Sequence, residues 1–353
     1  AVVSKYATSS ARHGTLDPAA SLRMTHTATP TGTATAWAGI NIALVKYWGK
    51  RDAAANLPAV GSLSLTLAEL GTRTTVTFDP TLTDDRFELN GVARDDDARV
   101  RALLDGVRRL RCLDRRARVV SRNHVPTASG LASSASGAAA LAVAAWAASG
   151  GDPTVARADA AFVDLVRRGS GSAPRSLYGG LVELDRSDGQ VHPVLPPEAW
   201  NLRMVVARLA HGPKATSSRE GMARTARTSP YYAAWIAAHP ADLVEARAAI
   251  EARDLARLGT VMERSTARMH ACMLAADPPL RYWNGRTLDA LDVVAGLRAA
   301  GVGAWATMDA GPHVKVLCAD ADAEAVRSAL CAVAPEDDLQ ITRPGPGAHV
   351  EPR

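Results

Sequence analysis

One stretch limits what this chain can fold into more than any other. From Val125 to Gly151 there is no Asp, Glu, Lys or Arg, so the stretch is long enough to cross a bilayer, which takes about 20 apolar residues. Most of its apolar residues are alanines, and the strongly apolar side chains are only Leu131, Leu141, Val143 and Trp146. Because alanine contributes little to membrane insertion, the stretch predicts a buried helix rather than a membrane span.

The same stretch divides into two parts of different character. Residues 126–137, "PTASGLASSASG", predict a loop of small residues, and residues 138–148, "AAALAVAAWAA", predict the helix. The N–H groups at a helix start carry positive partial charge, and small side chains let a polyphosphate approach them. No lysine follows the glycines, so this is not the common G-x-x-x-x-G-K-[ST] loop. On these residues alone, phosphate binding and close helix packing both remain open.

The composition suggests a soluble protein with a small anionic ligand. A chain of 353 residues exceeds the size at which one core stops growing, so we expect two domains or one bilobal unit. The net charge of +5 comes from 41 basic and 36 acidic residues, which suits an anionic substrate and is too small for a nucleic-acid-binding protein. The four cysteines form no C-x-x-C pair, which predicts buried thiols in a reducing cytosol and no zinc site.

Hydrophobic periodicity gives a coarse map of the chain. Strands are predicted at 33–48, 61–79 and 118–127, and a helix after Asp95, with Val100, Leu103, Leu104 and Val107 on its buried face. We expect a flexible tail at 1–32, within which Met24 is a plausible start, and lobes at 33–201 and 202–335. Residues 336–353 are expected to be a strand or tail that is frayed, because they contain several Pro and Gly.

Three further stretches are rich in charged residues, small polar residues and glycine, and secondary-structure propensity does not explain this. They are "NIALVKYWGKRD" at 41–52, "RRGSGSAPRSLYGG" at 167–180 and "TMDAGPHVKVL" at 307–317. Two more stretches belong with them, "SSREGMARTARTSPYY" at 217–232 and "MHACMLAADPPLRYWNGRTLDAL" at 269–291. Together with the small-residue loop, and in chain order, they resemble the diphosphomevalonate decarboxylases (mevalonate 5-diphosphate decarboxylases) of the GHMP kinase superfamily.

The resemblance implies a fold and an activity. The fold would be α+β and two-lobed, the GHMP kinase fold, with an N-terminal ribosomal protein S5 domain 2-like lobe, a C-terminal ferredoxin-like lobe and the site between them. The activity would be the conversion of (R)-5-diphosphomevalonate and ATP, with Mg²⁺, into isopentenyl diphosphate, ADP, phosphate and CO₂. We expect a cytoplasmic homodimer. A phosphomevalonate decarboxylase, another GHMP small-molecule kinase and a non-catalytic paralogue are the alternatives.

The resemblance also implies which residues act on the reacting groups. Asp309 matches the catalytic aspartate, which would orient and deprotonate the 3-hydroxyl group as it attacks the γ-phosphate. Arg175 and Asn41 would hold the substrate carboxylate, and Arg175 would also orient Asp309. Either Lys46 or Lys50 would be the cation that keeps Asp309 ionised.

The remaining residues implied by the resemblance would hold anionic groups. For the substrate they are Tyr47, Trp48, Gly49, Lys50, Ser170, Gly171, Ser172, Arg175, Ser218 and Arg219. For the phosphates of ATP they are Gly130, Ser133, Ser134, Ser136 and Gly137. No metal site made by protein ligands is expected. Gly61, Pro174 and His313 depart from the family pattern, which leaves open whether the 5-position carries a diphosphate or a monophosphate.

Overall fold

Two long antiparallel strands, β1 (Thr33–Val45) and β4 (Ser62–Asp79), organise this computed structural model, which describes residues 32–124, 133–212 and 214–352. Both strands occur where the sequence predicted them. The first half of β1 packs in one apolar core through Ala36 and Ala38, and its second half enters a second core through Ile40 and Ile42. One strand therefore contributes to both cores.

The other elements of the N-terminal lobe follow in chain order. They are β2 (Lys50–Asp52), β3 (Leu57–Pro58), β5 (Arg86–Leu89), β6 (Val92–Ala93), α1 (Ala98–Arg111), β7 (Arg116–Asn123), α2 (Ser133–Ala148), α3 (Pro153–Ala156), α4 (Ala160–Gly169), β8 (Leu181–Leu184) and β9 (Val191–Leu195). The predicted helix after Asp95 is confirmed as α1, where Asp97 caps the first turn and Leu103, Leu104 and Val107 are buried. The predicted strand at 118–127 is confirmed as far as Asn123.

Helix α2 packs across β1 and β4 through its alanines, of which Ala139, Ala140 and Ala144 are fully buried. The helix begins at Ser133, five residues before the predicted start, so the boundary predicted at 138 was wrong. The serines of its first turn are compatible with a helix because their hydroxyls can bond back to the backbone, as Ser136 does to the carbonyl oxygen of Ser133 at 3.3 Å. Residues 126–132 of the predicted loop, including Gly130, lie outside the described residues.

The second lobe is built on a four-stranded antiparallel sheet with the order β11-β12-β10-β13. Its elements are β10 (Leu202–Ala207), α5 (Ser218–Thr228), α6 (Tyr232–Glu251), α7 (Leu255–Leu274), α8 (Gly285–Ala299), β11 (Ala304–Met308), β12 (Val314–Ala319), α9 (Ala323–Leu330) and β13 (Leu339–Thr342). Helices α6 and α7 cover one face, in the core that also holds the second half of β1, and helices α8 and α9 cover the other.

The expectation that residues after Pro335 are frayed was wrong. Strand β13 pairs with β10, and the following chain returns to the N-terminal lobe, where β14 (His349–Val350) pairs with Ala36 and Trp37 of β1. Between them, the backbone N–H of Gly345 bonds to the carbonyl oxygen of Thr66 at 2.8 Å. The Pro and Gly residues of this segment shape a connection that is held by backbone bonds at several points.

Two further expectations bear on the surface. Cys272 and Cys318 are buried as predicted, but Cys112 and Cys331 are exposed, since both follow the last residue of a surface helix. Within the described residues, no helix combines the length and apolar character needed to span a membrane.

The packing of α2 makes a testable prediction about stability. Replacing Ala144 with Leu should lower the free energy of unfolding by about 1–3 kcal/mol, because the larger side chain has no space between α2 and the sheet. Ala147→Leu, at a half-buried position of the same helix, is the matched control and should change it by less than about 0.5 kcal/mol. Urea unfolding of the three proteins measures both effects, and equal losses would contradict the packing described here.

Candidate active site

A cleft of about 320 Å³ lies between the lobes and collects most of the residues singled out in the sequence. The predicted residues that line it are Asn41, Tyr47, Trp48, Lys50, Ser133, Ser134, Ser170, Gly171, Ser172, Arg175, Ser218, Arg219 and Asp309. They come from the end of β1, the start of α2, the segment after α4, the start of α5 and the turn after β11. Segments far apart in sequence thus converge on one cavity.

Asp309 is the electrostatic centre of this cleft. Its Oδ1 accepts a hydrogen bond from Nζ of Lys46 at 2.7 Å, and its Oδ2 accepts one from Nζ of Lys315 at 3.0 Å. Burial alone would raise the pKa of Asp309, but the charges of Lys315 and Lys46 outweigh it and hold the pKa well below its usual range. Asp309 is therefore a carboxylate at neutral pH.

The cations around Asp309 differ in how firmly they hold a proton. Burial lowers the pKa of Lys46 to about 8, although the attraction of Asp309 opposes this. Burial also lowers the pKa of Arg175 to about 10, so this guanidinium stays charged at neutral pH. With one carboxylate among three buried cations, this part of the cleft is built to receive an anion.

The guanidinium group of Arg175 is held by a serine and lies beside an aromatic ring. Its Nη1 donates to Oγ of Ser62 at 2.8 Å, and its guanidinium lies 5.7 Å from the ring centre of Tyr47. The hydrogen bonds that hold Asp309 come from Lys46 and Lys315, and Arg175 interacts with Asp309 through its charge, so the prediction that Arg175 orients Asp309 stays a prediction. Arg175 reaches the cleft from a buried 3₁₀ turn, where it can present its charge to a ligand.

Asn41 is buried and holds in place the segment after α4, which forms one side of the cleft. Its Nδ2 donates to the carbonyl oxygen of Ser172 at 3.2 Å and to Oγ of Ser176 at 2.8 Å. Its Oδ1 has no hydrogen-bond partner among the described residues. These contacts position the segment that carries Ser172, and a role for Asn41 as partner of a substrate carboxylate stays a prediction.

Lys50 and Arg219 form a second cationic point in the cleft. Burial, and next the charge of Arg219, lowers the pKa of Lys50, so the two side chains are electrostatic neighbours. Nζ of Lys50 donates to Oδ1 of Asn56 and not to Asp309. The structure therefore resolves the choice between the two lysines: Lys46 pairs with Asp309, and Lys50 is available for a different anionic group.

Two glycines are required by the aromatic hydroxyls beside the cleft. A Cβ atom at Gly171 would collide with the hydroxyl of Tyr47, and one at Gly49, where φ is +94°, would collide with that of Tyr232. Both hydroxyls are buried without a hydrogen-bond partner among the described residues. Because a buried hydroxyl without a partner is costly, they are groups that a polar ligand would satisfy.

The first turn of α2 brings only some of its predicted phosphate ligands to the cleft. Ser133 and Ser134 line it, and the position where Gly137 would carry a Cβ is open space. Ser136 does not line it, because its side chain faces the sheet, is fully buried and shares a 2.8 Å hydrogen bond with Thr72. Its assignment to ATP is therefore corrected to a packing role.

Sequence reasoning missed two lysines. Nζ of Lys214 donates to Oγ of Ser218 at 2.7 Å and to the carbonyl oxygen of Ala310 at 3.0 Å, so it joins α5 to the turn that carries Asp309. Lys315 lies in the quoted stretch "TMDAGPHVKVL", where a lysine inside an otherwise apolar strand pattern was the signal. His313, one of the departures from the family pattern, is buried, and its Nδ1 accepts a hydrogen bond from the backbone N–H of Leu209.

Comparisons with known proteins agree with this geometry. Residues 38–192 match the family model of the diphosphomevalonate decarboxylase-like N-terminal domain, and residues 204–346 match that of the mevalonate 5-diphosphate decarboxylase C-terminal domain. Diphosphomevalonate decarboxylase of Ganoderma lucidum is 38% identical over 313 residues, which cover 80% of this chain and 77% of that protein.

Solved structures give the same result. Mevalonate diphosphate decarboxylase from Staphylococcus aureus is 37% identical with a TM-score of 0.83, over 91% of this chain and 98% of that one. A structure described as MDDEF in complex with MVAPP, AMPPCP and magnesium is 39% identical with a TM-score of 0.82, over 91% of this chain and 99% of that one. The fold and the cationic cleft define a two-lobed enzyme of the GHMP kinase type. Within that class, the chain belongs to the diphosphomevalonate decarboxylase family.

The charges around Asp309 predict how stability depends on pH. Asp309→Asn leaves Lys46, Lys315 and Arg175 without a counter-charge, so it should lower the free energy of unfolding at pH 7 by about 1–3 kcal/mol. Breaking a fully buried ion pair costs about 3–5 kcal/mol. The expected loss is smaller here because the Asp309 side chain is 24% exposed. The pKa of Asp309 is lower in the folded state than in the unfolded state, so its contribution is complete above pH about 4 to 5 and is lost on acidification.

Urea unfolding of wild type and Asp309→Asn at pH 7 and at intervals down to pH 3 measures this dependence. The difference between the two proteins should be constant near neutral pH and should shrink below pH about 4. A variant as stable as wild type at pH 7 would show that the lysines do not depend on this carboxylate.

Proposed function

We propose that this protein catalyses the ATP-dependent decarboxylation of (R)-5-diphosphomevalonate to isopentenyl diphosphate. The observation that carries the proposal is the carboxylate of Asp309, held between Lys46 and Lys315 at the floor of a cleft lined by further cations. Such a cleft suits a reaction whose two substrates are both polyanions and whose chemistry needs one well-placed hydrogen-bond acceptor. Family membership supports the same activity.

The reaction needs ATP because a tertiary hydroxyl group is a poor leaving group. The oxygen of the 3-hydroxyl attacks the γ-phosphorus, the bond from that phosphorus to the β,γ-bridging oxygen breaks, and ADP leaves. The bond between the carboxylate carbon and its neighbour then breaks, and its electron pair forms the new double bond. The C3–O bond breaks with its electrons going to phosphate, and CO₂ is released.

Asp309 serves this sequence mainly by position. A carboxylate whose pKa lies well below its usual range is a weak base, so it orients the 3-hydroxyl group through a hydrogen bond and accepts its proton only as the phosphorus–oxygen bond forms. Its two oxygens offer about four acceptor sites, of which Lys46 and Lys315 occupy two. The free sites remain for the hydroxyl group.

The other cations divide the remaining charges of the two substrates. Arg175, which interacts with the charge of Asp309, takes the substrate carboxylate, and its planar guanidinium can bind both oxygens. Lys50 and Arg219 take the 5-diphosphate group, together with the buried hydroxyl of Tyr47. The two anionic groups of this substrate are then held at two separate places.

The nucleotide phosphates approach the N-terminus of α2, where Ser133 and Ser134 line the cleft. Lys214 lies between α5 and the Asp309 turn, where it can contact the transferring phosphoryl group. The described residues hold no cluster of three or more His, Cys, Asp or Glu side chains that would bind a metal. Mg²⁺ would be held by the ATP phosphates, with a serine hydroxyl at the start of α2 as a further oxygen ligand, and it would neutralise phosphate charge.

Two features of the substrate and the assembly remain predictions. The pair of Lys50 and Arg219 favours a diphosphate over a monophosphate at the 5-position, because two cations match its higher charge. A cytoplasmic homodimer stays a prediction.

The deciding experiment supplies purified protein with ATP, Mg²⁺ and 5-diphosphomevalonate and measures ADP and CO₂ together. Equal amounts of the two products are expected. ADP without CO₂ would identify a kinase, faster turnover of 5-phosphomevalonate would identify a monophosphate decarboxylase, and no turnover of ATP would identify a binding protein.

Asp309→Asn tests the residue at the centre of the proposal. The change keeps the shape and removes the charge, so kcat should fall by about 10²–10⁴-fold, the range for lost acid–base catalysis. KM for both substrates should change only a few-fold, because a negative group gives little attraction to polyanionic ligands. Steady-state kinetics on folded variant provide the measurement, and kcat within threefold of wild type would require a different base.

The pH dependence of kcat/KM tests whether the positive charge of Lys46 beside Asp309 contributes to substrate binding. The pKa of Lys46 in the free protein is about 8, so kcat/KM for 5-diphosphomevalonate should fall as the pH rises above about 8, where one positive charge is lost. Lys46→Arg keeps the charge and should remove this decline. If the decline near pH 8 persists in Lys46→Arg, a different group controls substrate binding.

A further inference from the structure

Lys315 is a charged residue in the interior of a strand that is otherwise apolar. It lies in β12, between Val314 and Val316, and its side chain is completely buried. Burying an ammonium group costs several kcal/mol unless a partner offsets it. The partner that the described part of the chain provides is Oδ2 of Asp309, at 3.0 Å. A buried charge with a large desolvation cost thus lies beside the carboxylate on which the proposed reaction depends.

We propose that Lys315 is a positioning residue that fixes the carboxylate of Asp309 for phosphoryl transfer, independently of Lys46. The proposal rests on the function proposed above. Lys315 touches neither substrate in it. Its ammonium group holds one oxygen of Asp309, so that the orientation of the carboxylate and its negative charge are set before the substrates bind.

Lys315 and Lys46 reach Asp309 from different elements of the fold. Lys315 belongs to the same hairpin as Asp309, since β11 and β12 pair antiparallel with Thr307 opposite Lys315 and Asp309 follows β11 directly. Lys46 reaches Asp309 from the end of β1, in the other lobe. The register of the hairpin fixes Lys315 relative to Asp309, whereas the position of Lys46 depends on how the end of β1 packs against the second lobe.

The backbone of Lys46 is held by helices of the second lobe. Its N–H donates to Oγ of Ser265 at 3.0 Å, and its carbonyl oxygen lies 2.9 Å from Nε2 of His239. Both partners lie on the helices α6 and α7 of the second lobe, so the end of β1 is itself bonded to the lobe that carries Asp309. The position of Lys46 relative to Asp309 is thus set through two helices, whereas Lys315 belongs to the hairpin itself.

The test replaces Lys315 with Met, which has a similar length and no charge. We expect kcat to fall at least tenfold, with KM for ATP and 5-diphosphomevalonate within about threefold of wild type. Lys315→Arg, which restores the charge, should recover part of this loss. Val316→Ala is the matched control: it removes a buried side chain from the same strand on the opposite face, and it should lower Tm while leaving kcat within about threefold.

A double variant separates action through Asp309 from a structural role. In the Asp309→Asn background, adding Lys315→Met should change kcat by less than about threefold, because the group that Lys315 positions is already absent. The loss of Tm caused by Lys315→Met should also be smaller in that background than in wild type. The Tm comparison needs no activity, so it tests the pairing even if the protein catalyses a different reaction.

Three results would overturn the proposal. They are a Lys315→Met protein with kcat within threefold of wild type, a loss of kcat no larger than that of Val316→Ala, and an equal loss of kcat in the Asp309→Asn background. If Lys315→Met does not fold, Lys315→Gln, which keeps a donor for Oδ2 without the charge, is measured against the same limits. A wild type that releases no CO₂ would instead refute the proposed function.

Discussion

The ion cluster of Asp309 with Lys46 and Lys315 is the interaction on which the arrangement of this molecule depends. One lysine comes from the N-terminal lobe and the other from the same hairpin as the carboxylate, so the cluster is at once a joint between lobes and the floor of the cleft. Its burial makes each member costly without the others, since an isolated charge in this position would be poorly solvated. The geometry of the site and the contact between the lobes therefore depend on the same three side chains.

The surrounding packing serves this cluster. Strand β1 delivers Lys46 at its C-terminal end after passing through both apolar cores, and α7 supplies Ser265 to fix the lysine backbone. Asn41, near the middle of the same strand, holds the segment that contains Ser172. The residues that line the cleft are thus held in place by residues of the sheet.

The elements with strong periodicity could be predicted from the sequence, and the partners of buried charges could not. The alternation in β4 and the spaced leucines of α1 predicted their elements because periodicity reflects which face is buried. The choice between Lys46 and Lys50 required the structure, because both lie in one motif and their partners, Asp309 and Asn56, lie in different parts of the chain.

Other failures have the same cause. The start of α2 was placed too late because serine has a low helix propensity, while the packing of the following alanines against the sheet outweighs it. Ser136 was grouped with its neighbours since a loop has no faces, whereas one turn of helix directs its side chain away from Ser134. Pairing between residues distant in sequence, such as β14 with β1, leaves no local signal at all.

The return of the chain to β1 has a consequence for biosynthesis. Ala36 and Trp37 are among the first described residues to be synthesised, yet their partners on one side, His349 and Val350, follow more than three hundred residues later. Until those partners leave the ribosome, the outer edge of β1 has unpaired backbone groups, which makes it a place where another chain could pair. A nascent molecule therefore has an open sheet edge throughout most of its translation, and closing that edge is among the last steps by which the fold becomes complete.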